Sequence, residues 1–291
     1  MLFLSKIMLD LDKIKFQRST EELLKFSIIN IDKPSGPTSF QVSHLIKNLL
    51  NINKTSHFGT LDPQVSGVLP TALSRACRLN EYFMHKDKTY IGIMRLHSSV
   101  SDEILKKEIK NFIGKIIQLP PIRSRVKRAE RVREIKTFKI IEKDNKDILF
   151  EAQVEAGTYI RKLIHDLGQK IGGAHMLELR RIKASIFSEE NSVNLYEFEK
   201  AVEEYKKGND AQLKNMLIPA EFCIEQVMPI IQIKENSLNQ LLTGKPLMKS
   251  DIINSLPQEN IFAIFNNNKF VAIMKKSEEK DIIARPEFVL N

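Results

Sequence analysis

A single aspartate stands inside a turn whose backbone the sequence restricts on both sides. Residues 57–70 are HFGTLDPQVSGVLP, with Asp62 between Gly59 and Gly67 and directly before Pro63. Glycine tolerates unusual φ angles, proline fixes its own φ, and the residue before a proline is driven to extended conformations. A carboxylate held in such a turn can cap the next element, or it can act as a positioned nucleophile or base. The turn alone leaves both interpretations open.

The composition restricts the class of protein. The chain has 291 residues, of which 42% are hydrophobic, enough for one large domain or two smaller ones with packed cores. No apolar run reaches the roughly 18 residues of a membrane span, and the N-terminus lacks the basic start and cleavage site of a signal peptide. Cys77 and Cys223 lie far apart and outside any C-x-x-C motif, which predicts buried free thiols and a cytoplasmic protein.

Positive charge is concentrated in one segment. The net charge of +9 favours a polyanionic partner. Residues 123–133 contain one acidic residue, Glu130, and the following basic residues: Arg123, Arg125, Lys127, Arg128, Arg131 and Arg133. From Gln226 to the end of the chain, acidic and basic residues are nearly balanced. The basic segment is either a phosphate-binding surface or a solvated edge strand, and its clustering favours phosphate binding.

The elements that must position Asp62 alternate irregularly along the chain. Hydrophobic patterning predicts strands at 28–31, 90–96, 135–141 and 148–155 and helices at 40–50, 102–113, 157–170 and 195–207. The apolar stretch 67–79 is predicted to be partly helical. Because there is no regular βαβ repeat, the pattern predicts an α+β domain on a mixed sheet.

The character of the sequence changes near residue 218. Short strands are predicted at 230–233, 261–265 and 270–274, with one helix near 237–242. A run of three asparagines at 266–268 is a hairpin signal between the last two strands. This pattern predicts a second, small β-rich domain that begins near residue 218.

Five ordered motifs resemble those of the pseudouridine synthases of the TruB and dyskerin group. They are INIDKPSGPTS (29–39), HFGTLDPQVSGVLP (57–70), KTYIGIMRLH (88–97), GTYIRKLIHDLG (157–168) and GAHMLELRRIKAS (173–185). The segment from the third motif to residue 135 resembles the archaeal dyskerin branch, since it lacks the longer insertion of the bacterial tRNA enzymes. The chain departs from the family at Ser56, where glycine is usual, and in having only Gly244 after residue 226.

The resemblance implies a fold and a domain organisation. It implies an α+β pseudouridine synthase domain with a mixed sheet at 28–217 and a PUA-like β-barrel domain that binds RNA at 218–291. An N-terminal extension, 1–27, is expected to pack on the PUA-like domain.

The resemblance also assigns expected roles to residues. Asp62 matches the catalytic aspartate, either as a nucleophile at C1′ or as a base for a sugar proton. Arg161 matches its partner, expected to bind the carboxylate as a bidentate fork. Tyr90 matches the ring that stacks on the target base. Lys33, His57, Tyr159 and Leu179 match substrate-binding positions of the pocket wall, and residues 123–133 match an RNA-contacting loop.

The implied reaction is the isomerisation of uridine to pseudouridine in RNA. It is redox-neutral, and neither a metal nor a cofactor is expected. The implied partners are an H/ACA guide RNA, the substrate RNA and accessory subunits of an H/ACA ribonucleoprotein, with no membrane involved. Two alternatives stay open: a free-standing tRNA pseudouridine synthase, and a non-catalytic scaffold for H/ACA RNA.

Overall fold

The computed structural model describes residues 9, 11–120 and 127–291 of the chain. Its helices are α1 (Leu11–Gln17), α2 (Thr20–Lys25), α3 (Ser39–Leu50), α4 (Asn80–Met84), α5 (Asp102–Asn111), α6 (Ile160–Ile171), α7 (Leu195–Lys206), α8 (Ala211–Met216), α9 (Ala220–Val227) and α10 (Leu238–Leu242). Its longer strands are β1 (Ser27–Lys33), β3 (Ser66–Leu73), β4 (Lys88–Leu96), β5 (Gly114–Gln118), β6 (Arg131–Asp144), β7 (Asp147–Val154), β8 (Ala174–Ala184), β13 (Ile261–Asn266), β14 (Lys269–Lys276) and β15 (Ala284–Val289). The short strands are β2 (Thr55–His57), β9 (Phe187–Ser188), β10 (Val193–Asn194), β11 (Ile218–Pro219) and β12 (Ile230–Gln232).

A large mixed sheet forms the centre of the molecule. Its strands follow the order β10-β1-β3-β8-β4-β7-β6-β5, with β2, β9 and β11 paired at its sides. The β1–β10 and β3–β8 pairs are parallel, and β3–β1, β8–β4, β4–β7, β7–β6 and β6–β5 are antiparallel. The α+β prediction is therefore confirmed. Because β8 lies between β3 and β4, motifs distant in sequence meet at the middle of the sheet.

The segment 67–79 differs from the prediction of partial α-helix. Residues Ser66–Leu73 form β3, and only Ser74–Leu79 are helical, as a 3-10 helix. After its first residue, β3 is buried throughout, so it lacks the apolar–polar alternation by which a half-exposed strand is recognised. Pro70 keeps its place in the strand opposite Asn30 of β1.

A second, smaller sheet occupies the C-terminal part of the chain. Its order is β12-β13-β14-β15, and the β13–β14 hairpin turns at Asn267, whose φ is 51°. The predicted second β-rich unit is thus present, and the hairpin lies where the three asparagines indicated it. The boundaries at 27/28 and 217/218, and the identification of this unit as PUA-like, stay predictions.

One hydrophobic cluster joins the two sheets. Phe58 and Phe83 from the region of the large sheet share this cluster with Phe265 and Phe270 of the small one. Phe26, which directly precedes β1, stacks on Phe270 with ring centroids 5.3 Å apart. The core beneath the Asp62 turn is therefore continuous with the C-terminal sheet.

The N-terminal segment reaches the helix that follows β11. The backbone N–H of Leu9 donates to Glu225 (3.1 Å), and Arg18 pairs with the buried Glu221 (2.8 Å). No helix among residues 9–120 and 127–291 is long and apolar enough to cross a membrane. Cys77 and Cys223 are buried free thiols, as the sequence predicted.

Candidate active site

The Asp62 turn is held by the loop that precedes α3. The Ser39 hydroxyl donates to the carbonyl of Leu61 (2.9 Å) and accepts from the Leu61 N–H (2.8 Å). On the other side of the aspartate, the N–H of Gly36 donates to the carbonyl of Pro63 (2.9 Å). Both neighbours of Asp62 are therefore fixed, while its own side chain stays 51% exposed.

Lys33 hydrogen-bonds the backbone of the same two loops. Its ammonium donates to three carbonyl oxygens, those of Pro34 (2.7 Å), Pro37 (2.8 Å) and Pro63 (3.0 Å), and the residue is fully buried. Burial lowers the pKa of Lys33, and the nearby Asp62 carboxylate opposes that shift. An ammonium has three N–H donors, and here all three bind backbone. In this structure Lys33 therefore shapes the turn, and its contact with substrate stays a prediction.

Arg161 and Asp62 meet across the site. One guanidinium nitrogen of Arg161 lies 2.6 Å from one carboxylate oxygen of Asp62, and both side chains are half exposed. The pair joins two motifs that are 99 residues apart in sequence. A bidentate pair was expected, and the structure shows one short hydrogen bond between the two side chains. A charge-assisted hydrogen bond so placed fixes the direction of the carboxylate.

Gln118 positions Arg161 and was missed from the sequence. Its amide donates to the carbonyl of Tyr159 (3.2 Å) and accepts from the Tyr159 N–H (3.0 Å). Tyr159 is the N-cap residue of α6, and Arg161 stands in the first turn of that helix. Gln118 is 2% exposed. A buried glutamine at the end of an edge strand carries no sequence signal that distinguishes it from an ordinary polar residue.

Tyr90 and Leu179 lie together at the boundary of two parts of the core. Both are partly buried, and both pack against the cluster around α3 and α7 and against the cluster around α6 and β7. They stand on the paired strands β4 and β8. The contact of these two side chains with a nucleobase stays a prediction.

His57 lies beside the Asp62 turn and is hydrogen-bonded at both ring nitrogens. Nδ1 is 3.3 Å from the Ser43 hydroxyl, and Nε2 is 3.2 Å from the hydroxyl of Thr60. Burial lowers the pKa of His57, and the Arg181 guanidinium lowers it further. Both effects favour the neutral form of the imidazole.

Two further cations, Arg181 and Lys88, are buried beneath the turn. Arg181 is 1% exposed and Lys88 is 5% exposed. The Lys88 ammonium donates to the carbonyls of Met84 (2.6 Å) and Lys86 (2.5 Å), and burial lowers its pKa to about 8, with Arg181 contributing. The only sign of Arg181 in the sequence is a pair of adjacent arginines within an otherwise apolar alternation.

We predict a pH-dependent cost of burying Lys88. Its pKa in the folded protein, about 8, lies below the ordinary 10.5. Between these values the unfolded chain binds the proton more tightly, so the cost is full below pH 8 and is lost as the pH rises to 10.5. From pH 7.5 to pH 10, the free energy of unfolding of the wild type should therefore rise by on the order of 2–3 kcal/mol relative to that of Lys88→Met. Urea denaturation at the two pH values measures this.

The control for this prediction is Lys86→Met, which removes an exposed ammonium two residues away. An exposed lysine loses little hydration on folding, so this variant should follow the wild type at both pH values. The prediction is contradicted if the free energies of unfolding of the wild type and of Lys88→Met differ by the same amount at pH 7.5 and at pH 10.

The structure separates the members of the basic segment. Arg123 and Arg125 lie outside the described residues. Lys127 and Arg128 are exposed, and Arg131 is half-buried at the start of β6. Arg133 packs against Gly157 and pairs with Glu155 at 3.7 Å. A phosphate contact suits the exposed Lys127 and Arg128 better than Arg133, whose charge already faces a carboxylate.

The arrangement offers general base or nucleophilic chemistry at Asp62. Across the described chain, no group of three or more His, Cys, Asp or Glu side chains is placed to hold a metal ion. The polar groups that meet are one exposed carboxylate and one guanidinium, on a turn that covers buried cations. An anion at the tip of a fixed turn suits attack on or proton removal from a nucleotide.

Comparison with known proteins identifies the family. Residues 47–160 match the N-terminal domain of the TruB family pseudouridylate synthases, and residues 161–225 match the tRNA pseudouridylate synthase B C-terminal domain. A relative from Methanopyrus kandleri, described as a probable tRNA pseudouridine synthase B, is 41% identical over 81% of this chain and 70% of its own length. The chain belongs to the TruB family of pseudouridine synthases.

Other members of the TruB family resemble the chain in sequence and in structure. A relative in Nanoarchaeum equitans, also described as a probable tRNA pseudouridine synthase B, is 44% identical over 74% of this chain but over only 62% of its own length. A solved Cbf5–Nop10–Gar1 complex contains a chain that superposes with a TM-score of 0.86 at 36% identity, covering 94% of this chain and 88% of that one. An H/ACA ribonucleoprotein bound to a substrate RNA containing 2′-deoxyuridine gives 0.85 at 34% identity, covering 95% and 89%.

Proposed function

We propose that this TruB-family protein converts specific uridines of RNA, in rRNA and in tRNA, to pseudouridine and that an H/ACA guide RNA selects them. The observation that carries the chemistry is the 2.6 Å contact between Arg161 and Asp62. The likeness to a chain solved within an H/ACA ribonucleoprotein supports guide dependence. Accessory subunits of the kind in the Cbf5–Nop10–Gar1 complex are the proposed protein partners.

The reaction breaks the bond between N1 of uracil and C1′ and joins C1′ to C5 instead. C5 loses a proton and N1 ends with one, so the atoms balance without a redox cofactor. The target base must first leave its stack, which costs a few kcal/mol. Stacking on Tyr90 returns about 1–3 kcal/mol of that cost, and Leu179 contacts the base from the neighbouring strand.

Asp62 acts on the sugar side of the flipped nucleotide. Its carboxylate either attacks C1′ or removes a sugar proton, and both routes need an ionised oxygen aimed at the ribose. The fixed neighbours Leu61 and Pro63 supply positioning, a large source of rate acceleration. Arg161 orients the carboxylate through its hydrogen bond, His57 and Tyr159 line the pocket, and Lys33 supports the turn from beneath.

A free-standing tRNA enzyme is the second candidate function. It is favoured by the curated relatives, which are described as probable tRNA pseudouridine synthases. The deciding experiment incubates the pure protein with unmodified tRNA, and in parallel with a guide RNA, its substrate and the accessory subunits. Guide-dependent modification supports the first proposal, and modification of tRNA alone supports the second. A non-catalytic scaffold would leave both RNAs unmodified.

The domain proposal follows the predicted boundaries. Residues 28–217 are the proposed catalytic domain, 218–291 the proposed PUA-like RNA-binding domain, and 1–27 an extension against it. Contacts of Leu9 and Arg18 with α9 support packing of the extension near the start of the second unit. The two buried free cysteines support a reducing compartment, and we propose a cytoplasmic location.

The basic segment gives a prediction on salt dependence. Neutralising Arg125, Lys127 and Arg128 together, each to glutamine, should weaken substrate RNA binding by removing phosphate contacts. Each contact to single-stranded RNA contributes about −0.7 to the slope of log K against log salt, so losing two or three contacts changes the slope by roughly 1.5–2. Fluorescence titrations between about 50 and 200 mM salt measure the slope.

The control for the salt prediction changes the same number of charges elsewhere. Lys106, Lys107 and Lys110 lie exposed on α5, and their triple glutamine variant should keep the wild-type slope. If the two triple variants share one slope, the segment 123–133 is a solvated surface rather than an RNA contact.

A further inference from the structure

One buried side chain, Arg181, touches both ends of the Asp62 turn. Its Nε donates to the carbonyl of Val68 (2.8 Å), and its Nη2 donates to the carbonyl of Gly59 (2.9 Å). Gly59 lies three residues before Asp62, and Val68 lies six residues after it. A guanidinium is rigid and planar, so it sets the distance between the points where the turn leaves and re-enters the sheet.

Both glycines of the turn border this arginine. Gly59 has a φ of +108°, and a Cβ there would lie 3.4 Å from Nη1 of Arg181. Gly67 has a φ of +105°, and a Cβ there would lie 2.2 Å from the Arg181 carbonyl oxygen. The glycines therefore allow the turn to close over the guanidinium and β3 to pair with β8. Their spacing around Asp62 follows from the position of Arg181.

Arg181 also reaches Tyr90. The two residues are register partners on β4 and β8. Burial lowers the pKa of Arg181, and the neighbouring Tyr90 side chain opposes that shift. The same cation thus hydrogen-bonds the turn that carries Asp62 and lies beside the residue whose ring is proposed to stack on the target base.

Burying the Arg181 charge costs more free energy than a role in packing alone explains. Arg181 is 1% exposed, and its two hydrogen bonds go to backbone carbonyls rather than to a carboxylate. A buried cation without a charged partner costs free energy, and an apolar side chain of similar volume is often as stable or more so. The free-energy cost of burying Arg181 is explained if the guanidinium fixes a geometry that an apolar side chain cannot fix.

We propose that Arg181 is a positioning residue that sets the Asp62 carboxylate against the ring of Tyr90. This proposal rests on the proposed function. A single guanidinium then holds the groups that face the sugar side and the base face of one flipped uridine at a fixed separation. Arg181 acts through these two residues and touches no substrate atom itself.

The test is Arg181→Lys, which keeps the charge. One ammonium nitrogen cannot replace the two separate donors of the guanidinium fork. The variant should remain folded by circular dichroism and bind substrate RNA within about threefold of the wild type. Its single-turnover rate of pseudouridine formation should fall about 100-fold, which corresponds to about 2.7 kcal/mol. A folded variant with a rate within threefold of the wild type would overturn the proposal.

The matched control is the adjacent arginine on the same strand. Arg180 binds Asp32 through two nitrogens (2.9 and 3.0 Å) and pairs with Glu189 (2.8 Å), away from the turn. Arg180→Lys should keep the wild-type rate within about threefold. A loss as large as that of Arg181→Lys would mean that any change in β8 slows the reaction, and the assignment to Arg181 would fail.

A second variant covers the case in which Arg181→Lys does not fold. Gly59→Ala keeps the arginine but strains the backbone at a φ of +108°, next to the carbonyl that Arg181 binds. It should lose at least tenfold in rate with unchanged RNA affinity, and a wild-type rate would overturn the proposal.

An activity-independent measurement separates this proposal from the proposed function. In Arg181→Lys, amide hydrogen exchange should accelerate at Leu61 and Val65 of the turn but not in the β6–β7 hairpin. If the wild type modifies no RNA, the proposed function fails, while the exchange result still decides whether Arg181 holds the turn. Unchanged exchange at both amides would overturn the positioning role.

Discussion

Asp62→Asn is expected to lower single-turnover pseudouridine formation by about 10⁴-fold or more while leaving RNA affinity within a few fold. Asparagine has nearly the same shape as aspartate but lacks the anionic oxygen needed for attack or proton removal. The carboxylate makes no favourable contact with phosphate, so binding should survive its loss. The rate is measured with enzyme in excess over substrate, and the affinity by filter binding at one salt concentration.

A matched control for Asp62→Asn exists at another strand pair. Asp147 is also a partly exposed aspartate bound to an arginine, with two nitrogens of Arg95 at 2.6 and 2.5 Å. Asp147 is the first residue of β7, and Asp147→Asn removes the same charge there and should keep the wild-type rate. Turnover by Asp62→Asn above about 1% of the wild type would rule out Asp62 as nucleophile or base.

Arg161→Ala is expected to lower the rate by about 10²–10³-fold, again with little change in RNA affinity. The variant removes the hydrogen-bond donor 2.6 Å from the Asp62 carboxylate, which then loses its direction and its neighbouring positive charge. Losing one preorganised donor to a reacting oxyanion costs about this much in other enzymes. The same single-turnover assay measures it.

Arg161→Lys tests how the pair works. The structure joins Arg161 to Asp62 through one nitrogen, so a lysine should recover part of the rate by supplying charge and one donor. Full recovery would show that the planar guanidinium is dispensable. Arg95→Ala, at the Arg95–Asp147 pair, is the control and should keep the wild-type rate. An Arg161→Ala rate above a tenth of the wild type would exclude Arg161 from the reaction.

The sequence predicted the elements that carry the candidate site well. Asp62 and Arg161 come from separate motifs and meet in one hydrogen bond, and Tyr90 and Leu179 stand on the paired strands β4 and β8, while the roles of all four stay predictions. The strands β1, β4 and β7 and the helices α3, α5 and α7 were also predicted close to their bounds. Each presents a clear periodicity or a capping signal, which is local information.

The parts that could not be predicted depend on long-range contacts. The fully buried β3 has no alternation, and charged residues interrupt the pattern of β8, so neither was predicted as a strand. Nothing local to the sequence indicates that Arg181 is buried, since arginine is rarely so. Lys33 was expected to contact substrate, but its three hydrogen bonds to backbone are visible only once the loops are folded.

The most direct test of the account uses one RNA with a single candidate uridine. The protein, a guide RNA and accessory subunits are incubated with this substrate, and the digested nucleosides are separated to quantify pseudouridine. The account predicts one pseudouridine per substrate with the wild type, at the uridine left unpaired by the guide, and none with Asp62→Asn. Equal pseudouridine from both proteins, or none from the wild type with this substrate and with tRNA, would contradict it.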